Sequence, residues 1–153
     1  MATPNDASLI ASVLYESFLE YESLYTRGAF AATVLTSDQI RGRIPEGRVW
    51  VALYRDAIVG TVSAVPKDDE LYIRSMAVAP SARGRRVGEL MLRQIETSAL
   101  AEGYMRLTLV TTPFLISAIR LYERFGFQRI DGDRDDLFGT PLIAMEKRLR
   151  PRN

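Results

Sequence analysis

The 153-residue chain contains no cysteine and no histidine. Without cysteine there is no disulfide, no zinc–thiolate site and no thiol nucleophile. Without histidine there is no imidazole base, no Ser-His-Asp hydrolase chemistry and no His-ligated metal, and a bound metal is not expected. Catalysis must then run on carboxylates, tyrosine and backbone amides. An excess of charge of one sign is missing too. Twenty Lys and Arg against nineteen Asp and Glu leave a net charge of +1, which argues against a general grip on nucleic acid. No apolar run approaches the ~18–20 residues that span a bilayer. The first six residues, Met1 to Asp6, lack the basic-then-apolar order of a secretory signal. The expectations are no nucleic-acid partner, no membrane, and a cytoplasmic location.

What is present is the composition of a folded domain, 47% apolar and 25% charged. No repeat, low-complexity tract or linker divides it, so residues 1–153 are expected to form a single domain. Apolar residues at helical spacing (Leu9, Val13, Leu14, Phe18, Tyr21, Leu24) predict a helix from about Asn5 to Tyr25, interrupted at Gly28, and Ser37 is expected to cap a short second helix. The period then changes. Val49–Tyr54 and Ala57–Val65, separated by Arg55-Asp56, read as an antiparallel hairpin, and Leu71–Val78 as a third strand. Arg85–Glu102 predicts the strongest helix, with Val87, Leu90, Met91, Ile95 and Ala99 as its apolar stripe. Leu107–Val110 reads as a strand and Pro113 as the opening of a further helix. Two strands, Phe127–Ile130 and Leu142–Leu149, then flank an acidic loop, Asp131–Asp136. The passage from Leu71 to Val110 should be a right-handed parallel crossover inside an otherwise antiparallel sheet.

Between the third strand and the strongest helix lies Val78-Ala79-Pro80-Ser81-Ala82-Arg83-Gly84-Arg85-Arg86-Val87-Gly88. A helix start carries free backbone donors and partial positive charge, so it receives phosphate well. Glycine permits a tight turn or a close approach, and guanidinium forks suit phosphate oxygens. It is not a Walker loop, because no Gly-Lys-Ser/Thr follows, and the dinucleotide Gly-x-Gly-x-x-Gly spacing is absent. Taken alone, the string fits a solvated basic helix cap equally well.

A second string changes that balance: Ala118-Ile119-Arg120-Leu121-Tyr122-Glu123-Arg124-Phe125-Gly126-Phe127. With Arg83-Gly84-Arg85-Arg86-Val87-Gly88 read as Arg/Gln-x-x-Gly-x-Gly/Ala, and the two strings in this order, the chain resembles the GNAT superfamily of acetyl-CoA-dependent N-acetyltransferases from about Leu71 to Ile130. Three departures stand out. Arg86 replaces the middle glycine, Leu115 stands where an asparagine often precedes the alanine by three residues, and the usual first strand is nearly missing from Ala2-Thr3-Pro4. The resemblance implies an α/β (α+β) GNAT fold. Its sheet would be mixed and mostly antiparallel, with the parallel crossover at its centre, about four flanking helices and a short or missing first strand.

The resemblance also implies acetyl-CoA as cosubstrate. Backbone groups of Met76, Ala77 and Val78 would hold its pantetheine arm, the loop Arg83, Gly84, Arg85, Arg86, Val87 and Gly88 its pyrophosphate, and Ser117 and Tyr122 its far end. Tyr122 would act as the acid for the leaving thiolate. Direct transfer to a primary amine, through a ternary complex, suits a chain without cysteine or histidine. Strand positions that often carry a catalytic Glu in this family hold Tyr72 and Arg74, and Glu70 at the strand entrance reads as solvated, so no base is assigned. The acceptor, a small-molecule or peptide amine, is expected among the first two helices, Tyr72 and the loop 131–140. Tyr15, Phe18, Tyr21 and Phe138 would supply aromatic surface there, and Glu16, Glu20, Glu22, Asp135 and Asp136 a lip for a cation. A homodimer is compatible with the resemblance. The alternative from another class is a non-catalytic acyl-CoA-binding regulatory module of the same fold.

Overall fold

A computed structural model describes residues 1–130 and 136–149. In chain order the elements are α1 (Ala7–Phe18), α2 (Arg27–Thr33), α3 (Ser37–Arg43), β1 (Arg48–Tyr54), β2 (Ala57–Lys67), β3 (Glu70–Val78), α4 (Val87–Ala101), β4 (Arg106–Thr111), α5 (Ile116–Phe125), β5 (Gln128–Arg129) and β6 (Ile143–Arg148). The six strands form one sheet in the order β1-β2-β3-β4-β6-β5. Every neighbouring pair is antiparallel except β3 and β4, which are joined in parallel through α4 as the strand–helix–strand reading requires. Five α-helices flank the sheet among the described residues, one more than the resemblance implied. No helix among them is long and apolar enough to cross a membrane.

The hairpin between β1 and β2 turns on Arg55 and Asp56, both at positive φ (50° and 65°). That two-residue turn matches the right-handed twist of its strands. Before β1 the described chain has no strand. The missing first strand is reduced to one hydrogen bond, Ala2 N–H donating to Val49 O at 2.8 Å.

Four local readings need correction. The helix expected over 5–25 splits, with 3₁₀ turns at Pro4–Asp6 and Leu19–Leu24, and the change of winding turns Tyr21 and Tyr25 onto Phe114. Gly28 does not break a helix but sits in the first turn of α2, where the ring of Phe138 lies 3.0 Å from where its Cβ would stand. Thr36, not Ser37, caps α3: its hydroxyl accepts from Gln39 N–H at 3.2 Å while the Gln39 side chain accepts from Thr36 N–H at 2.9 Å. On α4, Leu90 faces solvent and Leu92 takes its place, because the stripe that packs is Gly88, Met91, Leu92, Ile95 and Ala99.

Two cores lie on opposite faces of the sheet. Under α4 and α5 gather Trp50, Val62, Leu71, Ile73, Leu92, Ile95, Leu107 and Met145. Under α1 and α3 gather Ile10, Val13, Leu14, Ile40, Val49 and Ala77. Strand β3 supplies both, which strict alternation forbids, since Ile73 and Ala77 are four apart. The register explains it. Thr61 opposes Ala77 while Ser63 opposes Arg74, so β3 carries one extra residue. Ser75 at φ 55° absorbs it. This bulge exchanges the two faces of β3 beyond residue 75.

Candidate active site

The bulge also parts the parallel strands. β3 and β4 pair only from Glu70–Arg106 to Ile73–Leu109, yet β3 runs on to Val78 and β4 to Thr111. Beyond Ile73 each strand keeps only its outer neighbour, β2 or β6. The sheet is therefore wedged open, with Met76, Ala77 and Val78 along one wall. Ser17 Oγ on α1 donates to Val78 O at 2.8 Å and pins that wall.

The loop at the mouth of the wedge is shaped by its backbone. A 3₁₀ turn at Pro80–Ala82 leads to Gly84 at φ 84°, a left-handed conformation in which a Cβ would point into open space. Arg86, at φ 60° and ψ 24°, is the residue before the first turn of α4. A side chain there is strained by ~1–2 kcal/mol. Threonines cap α2 and α3, but no side chain caps α4. Its first amides are left available to an anion. Gly88 is buried for a different reason: its Cβ would stand 2.7 Å from Leu121 Cδ2 on α5 and 3.1 Å from Met76 Cε. It lets α4, α5 and β3 meet.

The arginines of this loop do not act alike. Arg83 is engaged, donating to Ser17 O at 3.3 Å and pairing with Glu20. Arg85 donates to the Tyr54 hydroxyl at 3.1 Å and lies over its ring at 4.6 Å. Arg86 is exposed and makes no ion pair with a described residue. Val87 is half-buried and packs towards Gly60. Ser117 is exposed on the first turn of α5.

Tyr122 lies on the inner face of α5, 8% exposed, with its ring 5.9 Å from that of Phe127. Burial pushes its hydroxyl up to about 12, with the neighbouring Tyr25 adding in the same direction. It is a neutral O–H donor at every physiological pH. The shift carries a stability consequence. The folded state holds this proton more tightly than the unfolded chain, whose value is about 10, so the associated stability is complete below pH 10 and is lost as pH rises towards 12. Denaturant titrations are expected to lose ~2–3 kcal/mol from this group across that window. The loss should be shallower in Tyr122→Phe and not abolished, since burial also raises Tyr25 and Tyr72.

Tyr25 carried no signal in the sequence. It reaches Tyr122 only through the fold, edge-on to Phe114 at 4.8 Å and 6.0 Å from Phe30. Of the expected aromatic lip, Phe18, Tyr15 and Tyr21 join this cluster. Phe138 is exposed and anchored through its carbonyl, which accepts from Thr26 Oγ1 at 2.7 Å. Of the acids, Glu20 is taken by Arg83, and Glu16 lines a shallow recess of about 410 Å³ with Ser12, Tyr15 and Thr36. Glu22 is exposed, and Asp136 accepts from Gly139 N–H at 3.1 Å. Asp135 and most of the acidic loop lie outside the described residues. Glu70 pairs with Arg106 at 3.3 Å at the far end of β3.

A sequence model of the acetyltransferase (GNAT) family matches residues 11–127. N-acetylaspartate synthetase of Danio rerio is 32% identical over 89 residues, covering 57% of this chain and 31% of that protein. An uncharacterised N-acetyltransferase of Escherichia coli (strain K12), YjgM, is 28% identical over 134 residues, 84% of this chain and 80% of that protein. The chain spans 31% to 45% of the length of five other curated relatives, the Danio protein included. Among solved structures, the PaiA N-acetyltransferase of Thermoplasma acidophilum in complex with coenzyme A superposes with a TM-score of 0.83 at 15% identity, over 97% of this chain and 96% of that one. The ribosomal-protein-alanine N-acetyltransferase of Brucella melitensis gives 0.75 at 21% identity, over 97% of each chain. At such identities the structural likeness speaks to the fold.

Proposed function

The chain belongs to the acetyltransferase (GNAT) family, and from that premise we propose that it transfers the acetyl group of acetyl-CoA directly to a primary amine, on a small molecule or a peptide, with donor and acceptor bound together. The observation that carries this reading is the wedge between β3 and β4 with the uncapped start of α4 at its mouth. Acetyl-CoA supplies an activated acyl group as a thioester. The residues fit it. The amides of the loop 83–88 and the Arg86 guanidinium suit a pyrophosphate, and the open space at Gly84 leaves room for one. The β3 backbone over Met76, Ala77 and Val78 suits an extended arm laid alongside as an added strand. Ser117, on the exposed first turn of α5, is assigned to the same ligand.

Tyr122 keeps its proton on the hydroxyl and donates to the departing sulfur, where negative charge collects. A thiol titrates near ~8.5. A phenol held at about 12 therefore serves better as a hydrogen-bond donor to the thiolate than as a group that surrenders its proton outright. No carboxylate is assigned as base. Glu70 is held by Arg106 at the other end of the strand, so the attacking amine gives its proton to solvent.

With neither cysteine nor histidine to take the acyl group, mass spectrometry after incubation with acetyl-CoA alone should show no acetyl-enzyme on the catalytic path. A covalent adduct formed and consumed at the turnover rate would overturn direct transfer. Free-thiol release across a panel of amines tests the activity itself. Coenzyme A binding without thiol release from any amine would make the chain a regulatory acyl-CoA-binding module instead.

A further inference from the structure

On the sheet face covered by α1 and α3, the residues just before the bulge form a cationic cluster that the transfer chemistry above leaves unused. Tyr72 and Arg74 point to this face, opposite to Leu71 and Ile73. Arg74 is the first β3 residue beyond the last pairing with β4, so it stands where the wedge opens. Arg43, at the end of α3, donates to Ser75 Oγ at 2.9 Å and so brings a second guanidinium to the bulge. Burial, and then the Arg74 charge, weaken Arg43's hold on its proton, though a guanidinium stays charged in any protein. Among the described residues, the one carboxylate that answers them is Glu46, which accepts from Arg74 at 3.3 Å and is itself 61% exposed. Two positive charges against one negative charge leave, among the described residues, a surplus of +1 beside the wedge.

The neighbouring strands add unmet donors. Ser63 on β2 is the cross-strand partner of Arg74, and Thr108 on β4 is the partner of Tyr72. Both are buried, 4% and 7% exposed. Their hydroxyls, and Arg74 Nε, have no hydrogen-bond partner among the described residues. Ser63 lines a small cavity together with Arg43 and Ser75. A buried hydroxyl without a partner costs ~1–3 kcal/mol, and that of Ser63, with the unmet Arg74 Nε and the Arg43 guanidinium beside it, makes a site that calls for an anion.

We propose that Arg43 and Arg74, with Ser63, bind a carboxylate of the acceptor, so that the amine acetylated here belongs to an amino-acid-like molecule. This inference rests on the transferase reading above for the word acceptor, and on the geometry alone for the carboxylate. A single carboxylate matches the surplus of one charge and the planar fork of a guanidinium, whereas a phosphate dianion would overfill it. Glu46 is the built-in competitor: a substrate carboxylate displaces it from Arg74 and lets it turn to solvent. The cationic amine favoured by an acidic lip is thereby narrowed to an amine that carries its own negative charge.

The experiment compares free L-amino acids with their carboxamides and aminophosphonate analogues, on the full chain saturated with coenzyme A or acetyl-CoA. Calorimetry reads binding and thiol release reads turnover. The acids are expected to bind at least 10-fold more tightly than the amides. In Arg43→Gln that preference should fall 10- to 100-fold, appearing in KM rather than kcat. Arg74→Lys, which keeps the charge and loses the fork, should give an intermediate loss. Glu46→Gln should bind the acids 3- to 10-fold more tightly, a gain that damaged folding cannot imitate. Arg41→Gln, exposed and paired with Asp38 at 2.7 Å, is the control expected to change nothing. Amides bound as well as acids, tighter binding of the phosphonates, or a preference untouched by Arg43→Gln and Glu46→Gln would each overturn the carboxylate site. Acid binding that follows these variants without thiol release from any amine would keep the site and overturn the transferase reading.

Discussion

Tyr122→Phe is expected to lower kcat by ~10²–10³-fold while the affinity for acetyl-CoA and the melting temperature stay near those of the unsubstituted chain. The size follows from what is removed. Only the hydroxyl goes, so the ring keeps its contact with Phe127 and its place in the core under α5. The hydroxyl makes no hydrogen bond to a described residue, so its loss strands no partner. In the proposed mechanism what is lost is a donor to charge that exists only as the thioester bond breaks, and such a donor acts on kcat rather than on KM. Because burial holds the group at about 12, the rate should show no falling limb from this residue between pH 6 and roughly pH 10. Steady-state rates across pH for both proteins, with acetyl-CoA dissociation constants measured alongside, give the answer. A loss below threefold, or one accounted for by weaker binding or unfolding, would make Tyr122 a core residue and nothing more.

The two glycines of the loop are expected to fail in different ways. Gly88→Ala brings a Cβ to within 2.7 Å of Leu121 Cδ2 and 3.1 Å of Met76 Cε, the tips of flexible side chains that can turn aside. The cost is at the low end of overpacking, about 1 kcal/mol, which lowers the melting temperature of a domain this size by roughly 2–4 °C. Coenzyme A affinity should fall with the misplaced helix start. Gly84→Val meets nothing in the fold, since its side chain would enter open space. It strains a left-handed residue by ~1–2 kcal/mol and fills the room assigned above, by proposal, to the pyrophosphate. Acetyl-CoA binding should weaken at least 10-fold, while the strain lowers the melting temperature by roughly 2–8 °C. Calorimetry together with thermal unfolding separates the two. Normal binding by Gly84→Val would place the cofactor elsewhere.

Much of the fold was legible because its signals are local. Arg55-Asp56 between two β-branched runs announces a two-residue hairpin turn, and both residues adopt the positive φ that such a turn needs. The apolar runs at 49–65 and 71–78 became β1, β2 and β3 within a residue or two of their expected bounds at most ends. Errors arose where a neighbour decided. Gly28 is taken up inside α2, where the nearest side chain to it is the ring of Phe138, more than a hundred positions away. Leu90 and Leu92 are equally apolar, and only the angle at which α4 meets the sheet leaves one in solvent and buries the other.

By itself the sequence determined the chemistry that is closed to this protein, since a chain without cysteine or histidine has no thiolate and no imidazole in any conformation. It also determined the element order apart from α2, the position of the loop 83–88 before α4 and the tyrosine four residues after Ala118, all of which depend on residues a few positions apart. Only the tertiary structure decided which arginines of that loop are engaged, because Glu20 comes from the 3₁₀ turn after α1 and Tyr54 from β1. It alone placed Tyr25 beside Tyr122, and Arg43 beside Arg74 with the unmet hydroxyl of Ser63. The physical reason is the extra residue at Ser75. A single left-handed position in β3 leaves no mark in hydrophobic periodicity, yet it exchanges the strand's faces and sends β3 away from β4.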